Sequence, residues 1–203
     1  MTWSRRGPAD RPSRVAQRVE VVGRAADPSL SETGVRQARA VAEWLAPEGI
    51  DTLYTSPMNR ARETAGPIGE VTGLDVLVED GVSEYDKDSE AYVPIEELKA
   101  EGDPRWTEML AGGYFSDEGV DPVEFQAGVV EAMDRIIEAN PSRTAVVVCH
   151  GGVMNAYVGH VLGLEQYMVF QPAYTGVTRV RASSRGHRSL VSLNEHGHLR
   201  NVS

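Results

Sequence analysis

The 203-residue chain contains a single cysteine, Cys149, and few aromatic side chains. One cysteine excludes an intramolecular disulfide framework and a cysteine-based zinc site. Long hydrophobic runs are also missing, and no stretch approaches the ~20 apolar residues that a membrane-spanning helix needs. Residues 1–15 are polar and rich in arginine, which argues against a secretory signal peptide. These absences predict a cytoplasmic protein that does not associate with membranes.

Basic residues are outnumbered by acidic ones, 20 against 30, which gives a formal net charge of −10. Nucleic acids and anionic membranes bind through clusters of Lys and Arg that neutralise phosphate, so neither is an expected partner. An anionic small molecule would need a local pocket of arginines and backbone amides. Hydrophobic residues make up 41% of the chain, which suffices for a sizeable core in a chain of one-domain length.

Helical and strand patterns alternate along the chain. Apolar residues recur at helical spacing after Ser31, Ser56 and Asp121, each of which is a plausible helix cap. The continuous apolar run at 144–149 is typical of a strand covered on both faces. Two alternating stretches between 175 and 194 indicate a hairpin. This order predicts an α/β fold with a largely parallel sheet.

The clearest candidate site is the sequence VVVCHGGV at 146–153. A buried strand would deliver His150 at its carboxyl end, where open α/β sheets bind their ligands. Gly151 and Gly152 let a ligand approach the backbone closely, and the free N–H groups of the following helix favour an anion. His150 can then hydrogen-bond a phosphoryl oxygen, and the alternative role for this side chain is to cap the helix.

Two further candidates also follow predicted strands. Arg60 lies in the first turn of the second helix, where its fork of donors matches a phosphate. The alternative is a surface arginine that pairs with a nearby glutamate. Glu84 follows the strand predicted at 74–78, and its carboxylic acid could protonate a leaving group. Asp86 and Asp88 are interpreted as solvated loop charges. The histidines show no metal-ligand spacing, and no phosphate-binding loop of the Walker type occurs.

Four sequence blocks occur in the order and spacing of a known family: DPSLSETGVRQA, LYTSPMNRARETA, SEYD and VVVCHGGVMNAYVGHVLGL. Together they resemble the histidine phosphatase superfamily, the phosphoglycerate-mutase-like group, over 27–203. The resemblance implies a three-layer α/β/α sandwich with a mostly parallel central sheet and a cap insertion at about 80–120. It also implies phosphomonoester hydrolysis without a metal or organic cofactor, with a phosphorylated small molecule as substrate. The chain length favours a phosphatase over a mutase.

The resemblance assigns a role to each candidate. His150 matches the family's second histidine and Glu84 its acid/base, so these two are the expected catalytic residues. Arg60 and Gly151 are the expected phosphate-binding residues. The family's nucleophile, a histidine in an Arg-His-Gly motif at the end of the first strand, has no counterpart, because no histidine precedes His150. The nearest match is Arg5-Arg6-Gly7, and a protonated arginine cannot attack phosphorus.

Two explanations stay open for this atypical N-terminal segment, residues 1–26. In the first, the chain is a non-catalytic phosphate- or protein-binding relative with a polar extension. In the second, a shifted reading frame hides its first strand. If residues 10–16 are encoded by GAT CGT CCG TCA CGG GTT GCC C, reading one base later gives Ile-Val-Arg-His-Gly-Leu-Pro. In the same frame residues 7–9 can become Val-Leu-Leu, which extends an apolar strand. The chain as it stands would then lack phosphatase activity.

Overall fold

The structure, a computed structural model, describes residues 27–87, 99–104, 106–107, 119–166 and 168–202. The atypical segment 1–26 lies outside these ranges, and so does most of the cap expected at about 80–120. Both therefore stay predictions. Across the described ranges, no helix is long and apolar enough to cross a bilayer.

A parallel sheet lies at the centre of the described chain, with strand order β2–β1–β3. Its strands are β1 (Thr52–Thr55), β2 (Val76–Val78) and β3 (Ala145–Val148). Thr55 lies opposite Val78 on one side and Val148 on the other, so the three carboxyl ends meet at one edge. The strand expected at 144–149 is confirmed, and its side chains are half-buried.

Helices flank this sheet: α1 (Glu32–Leu45), α2 (Asn59–Thr72), α3 (Pro122–Ala139) and α4 (Gly151–Leu162). Ser31 caps α1 by accepting the N–H of Gly34 at 3.1 Å, and Asp121 caps α3. The third expected cap is wrong. The second helix begins after Met58, so Ser56 lies outside it and its hydroxyl is directed elsewhere.

The helices cover both faces of the sheet, because side chains alternate along each strand. Val146 and Val148 pack against a cluster from α1, β1 and α2, which comprises Val41, Ala42, Leu45, Leu53 and Ile68. Val147 and Cys149 face the other way and pack against a cluster drawn mainly from α3 and α4, which comprises Val82, Val129, Ala132, Val153, Ala156 and Tyr157. The expected three-layer α/β/α sandwich is therefore confirmed.

A hairpin completes the described fold. Its strands, β4 (Val177–Ala182) and β5 (Arg188–Glu195), pair antiparallel, as the alternating sequence pattern predicted. In the part of the chain that the structure describes, β3 pairs with β1 and β4 pairs with β5. A cleft of about 3250 Å³ is lined by every residue of β3 and of β4, and it extends to the carboxyl edge of the parallel sheet.

Candidate active site

The candidate residues meet at the carboxyl edge of the parallel sheet. Arg60 is the second residue of α2, which follows β1, and His150 is the residue before α4, which follows β3. Glu84 lies in the loop after β2, beyond the short 3-10 helix Asp80–Val82. These three side chains and Gly151 line the same cleft. The structure thus brings together all four residues that the sequence singled out.

Glu84 is buried, with 7% of its surface exposed, and it is bound to the N-terminus of α4. The N–H of Gly152 donates to Oε2 at 2.9 Å, and the N–H of Tyr85 donates to Oε1 at 3.2 Å. A Cβ atom at Gly152 would lie 2.2 Å from Oε1 of Glu84. Gly152 is therefore the residue that allows the carboxyl group to reach the helix, a role that the sequence did not reveal.

The environment of Glu84 favours its protonated form. Burial raises the pKa of this carboxyl to about 7, and the nearby carboxylate of Asp86 adds to the rise. The N–H groups of Gly152 and Tyr85 and the guanidinium of Arg60 act against it. Near neutral pH the protonated and deprotonated forms of Glu84 are therefore present in comparable amounts. That balance suits a side chain that must give a proton and later accept one.

Arg60 is held in place by two aspartates instead of the glutamates that its alternative role required. Its Nη2 lies 3.1 Å from Oδ1 of Asp86, and its Nη1 lies 3.6 Å from Oδ1 of Asp27. Asp27 also accepts the N–H of Asn59 at 2.7 Å. The interpretation of Asp86 as a solvated loop charge is wrong, because the loop after β2 folds against α2 and leaves that side chain only 14% exposed. Asp88 lies outside the described residues.

The His150 ring is buried and neutral. Its Nε2 lies 2.8 Å from Oγ of Ser56. Burial lowers the pKa of the imidazole to about 3, and the positive charge of Arg60 acts in the same direction. The ring therefore offers a hydrogen bond instead of a charge near neutral pH. Its alternative role is not seen, because the side chain makes no capping hydrogen bond to α4.

Thiol chemistry would require a reactive Cys149, and metal chemistry would require a cluster of acidic or histidine side chains. Burial raises the pKa of the Cys149 thiol to about 12, so the thiol stays protonated near neutral pH and is a poor nucleophile. Its partly buried side chain packs against the core cluster of α3 and α4. Over the described ranges, no group of three or more His, Cys, Asp or Glu side chains is arranged to hold a metal ion. The arrangement instead offers a guanidinium, a neutral imidazole, an acid that titrates near pH 7 and a helix N-terminus. These groups suit the binding and transfer of a phosphoryl group.

The chain resembles known phosphatases and mutases in sequence. The family model of the histidine phosphatase superfamily (branch 1) matches residues 12–196. Phosphoserine phosphatase 1 of Hydrogenobacter thermophilus is 31% identical over 151 residues, which cover 68% of this chain and 67% of that protein. A probable phosphoglycerate mutase of Yersinia enterocolitica is 28% identical over 143 residues, which cover 70% of this chain and 66% of that protein. The matches thus span about two thirds of these relatives.

Solved structures agree with the sequence matches. Phosphoserine phosphatase from Entamoeba histolytica, in complex with 3-phosphoglyceric acid, has a TM-score of 0.70 at 27% identity over 90% of both chains. A mycobacterial glucosyl-3-phosphoglycerate phosphatase in complex with VO3 has a TM-score of 0.68 at 22% identity, over 84% of this chain and 88% of that one, which shows the fold alone. The family predicted from the four sequence blocks is confirmed, and the chain belongs to the histidine phosphatase superfamily.

Proposed function

We propose that the catalytically complete form of this chain hydrolyses small phosphomonoesters through a phosphohistidine intermediate. Arg60 and the backbone of Gly151 bind the phosphate, and Glu84 and His150 act on the reacting group. The observation that carries the proposal is the convergence of Arg60, Glu84 and His150 on one cleft at the sheet edge. The names of the relatives support a small phosphorylated acid, such as phosphoserine or 3-phosphoglycerate, as the substrate to test first.

In the first half-reaction a histidine nitrogen attacks phosphorus, so an N–P bond forms and the P–O bond to the leaving alcohol breaks. The leaving oxygen takes the proton of the Glu84 carboxylic acid. The raised pKa of Glu84 keeps that proton available near neutral pH. Arg60 and His150 donate hydrogen bonds to the equatorial oxygens of the phosphoryl group and stabilise the charge on them.

In the second half-reaction water attacks the phosphohistidine. The Glu84 carboxylate takes a proton from the water molecule as its oxygen bonds to phosphorus, and the N–P bond breaks. Inorganic phosphate leaves, the histidine regains its lone pair and Glu84 is protonated again. One carboxyl group therefore acts first as an acid and then as a base, which requires a pKa near the working pH.

The attacking histidine must come from the segment before Asp27. The sequence contains five histidines, of which His150 acts by donating a hydrogen bond to the phosphoryl group. The other four follow it in the chain and do not line the cleft. We infer that a shifted reading frame at 7–16 conceals an apolar strand that ends in Arg-His-Gly. A parallel strand beside β3 would deliver that histidine at the edge where His150 lies, because parallel strands share their carboxyl edge.

The geometry of β3 is compatible with this placement. A segment of the usual ~5–6 residues would span the four residues of β3. If it paired in parallel with β3 on the side opposite β1, it would end beside the edge where Arg60, Glu84 and His150 lie.

The test replaces residues 7–16 by Val-Leu-Leu-Ile-Val-Arg-His-Gly-Leu-Pro and compares this restored chain with a control that carries Ala in place of the new histidine. The restored chain is expected to hydrolyse phosphoserine or 3-phosphoglycerate and to form an acid-labile phosphohistidine. The control and the original chain are expected to bind inorganic phosphate without turnover.

Three results would contradict parts of the proposal. A restored chain that folds and binds phosphate but hydrolyses neither ester nor p-nitrophenyl phosphate would overturn the hydrolase function and favour a non-catalytic binding protein. A gene sequence that spells Arg-His-Gly in no frame around codons 5–17 would refute the frame shift. Turnover by the original chain would show that another group attacks phosphorus.

A further inference from the structure

Ser56 contacts the His150 ring but has no part in the reaction described above. It is the first residue after β1, and its N–H continues the sheet by donating to the carbonyl of Val148 at 3.0 Å. Its side chain is fully buried, and its Oγ lies 2.8 Å from Nε2 of His150. The contact joins two neighbouring parallel strands at the point where both end.

The direction of this hydrogen bond follows from the protons available. A serine hydroxyl has one proton to donate and two lone pairs with which to accept. The N–H of Met58 donates to Oγ of Ser56 at 3.3 Å, which uses one lone pair. Within the described ranges, Nε2 of His150 is the acceptor that the hydroxyl proton can reach. The reverse direction would leave the proton of a fully buried hydroxyl without an acceptor among the described residues, which is unfavourable.

This direction fixes the tautomer of a neutral ring. If Ser56 donates to Nε2, that nitrogen carries the lone pair and Nδ1 carries the proton. Nδ1 has no hydrogen-bond partner among the described residues. It is not fully buried either, so it is accessible from the cleft that His150 lines. The donor that faces the cleft is therefore Nδ1–H.

We infer that Ser56 is a positioning residue, whose hydroxyl holds His150 in the tautomer protonated at Nδ1 so that Nδ1–H is the donor to the phosphoryl group. The inference deepens the proposed function and rests on it for the identity of the ligand. The tautomer itself can be measured without turnover. Ser56 acts through His150 and touches no reacting atom.

The experiment is ¹⁵N NMR of the full chain labelled at histidine, with the His150 signals assigned from their loss in His150→Asn. In the unsubstituted chain we expect the shift of a protonated nitrogen at Nδ1 and of an unprotonated nitrogen at Nε2. Ser56→Ala should move the ring toward the Nε2-protonated form, and Ser56→Thr, which keeps the hydroxyl, should restore the original pattern. Inorganic phosphate should then perturb Nδ1 more than Nε2.

Thr55→Val is the matched control, because Thr55 is the neighbouring buried hydroxyl and it donates to the carbonyl of Ser56 instead of to His150. It should leave the tautomer unchanged. In the restored chain, Ser56→Ala should lower kcat on the order of tenfold, the effect of one hydrogen bond, with little change in KM. Thr55→Val should change kcat far less.

Protonated Nε2 in the unsubstituted chain would overturn the inference, even if Ser56→Ala failed to fold. An equal tautomer change in Ser56→Ala and Thr55→Val would also overturn it, since general disturbance of the core would then explain both. If the restored chain has the expected tautomer but shows no turnover, the proposed function fails and the inference about Ser56 stands. The two failures are thus distinguishable.

Discussion

Glu84 and His150 have opposite effects on how stability depends on pH, and removal of either should reveal the other. Burial raises the pKa of Glu84 from 4.5 to about 7, so its stabilising effect is complete below pH 4.5 and is lost as pH rises through 7. Burial lowers the pKa of His150 from 6.5 to about 3. Its effect is complete above pH 6.5 and is lost as pH falls toward 3.

The size of each effect follows from the number of protons bound. A difference of one bound proton changes the free energy of unfolding by about 1.4 kcal/mol per pH unit. Between pH 4.5 and 6.5 the folded chain binds one proton more than the unfolded chain at Glu84 and one fewer at His150, so the two slopes cancel. Relative to the unsubstituted chain, Glu84→Gln should gain roughly 2 kcal/mol over this range as pH rises. His150→Asn should lose a similar amount.

The assay is urea unfolding at several pH values between 4.5 and 6.5, with both single variants and the double variant. It needs no enzymatic activity and therefore works on the chain as it stands. The double variant lacks both groups and should follow the pH profile of the unsubstituted chain. Identical profiles for Glu84→Gln and the unsubstituted chain would refute the raised pKa of Glu84 and, with it, the proton balance assigned to the site.

Three further changes have specific expected outcomes. Gly152→Ala should displace the Glu84 carboxyl, since its Cβ would lie 2.2 Å from Oε1, and should abolish most turnover in the restored chain. Gly159→Ala, in the same helix but outside the site and with its nearest neighbours at 3.5 Å, should keep turnover, and equal losses would contradict the steric argument. In the same chain, Glu84→Gln should slow esters with poor leaving groups more than good ones, because only the former need the proton. Equal slowing would remove the acid role. Asn140→Ala should lower the free energy of unfolding by about 2–3 kcal/mol, because the buried Asn140 amide donates hydrogen bonds to the Tyr54 hydroxyl at 3.0 Å and to a carbonyl near the end of α3. Urea unfolding measures this change, and a loss of less than ~0.5 kcal/mol would contradict the prediction.

The local pattern of the sequence is enough to predict the helices and strands and to identify the candidate residues. Ser31 and Asp121 cap helices because short polar side chains before an apolar repeat satisfy the first N–H groups, and both caps occur as expected. Arg60 and His150 could be placed at one edge because each follows a strand of a parallel sheet. These inferences need only the periodicity of the chain and the geometry of parallel pairing.

The missed contacts depend on distances that no local pattern encodes. The pairing of Asp86 with Arg60 depends on the path of a loop, and the bond between Ser56 and His150 depends on the register of β1 against β3. Ser56 also has the sequence context of a helix cap, which favoured the wrong role. One signal was present: Ser56 and His150 both follow strands that an α/β order places near one another.

The cost of the site in stability argues for catalysis over binding alone. A buried carboxyl with a pKa near 7 destabilises the fold by roughly 3 kcal/mol at neutral pH, compared with a carboxyl in water. Gly152 lowers the stability of the helix by a further amount, at most about 1 kcal/mol relative to alanine. Phosphate binding needs neither feature, because Arg60 and the α4 N-terminus already supply the donors. A group that gives and takes a proton needs both. We therefore infer that the residues after Asp27 keep the groups of a phosphatase site apart from its nucleophile, and that a change confined to residues 1–26 explains the missing nucleophile better than loss of the reaction does.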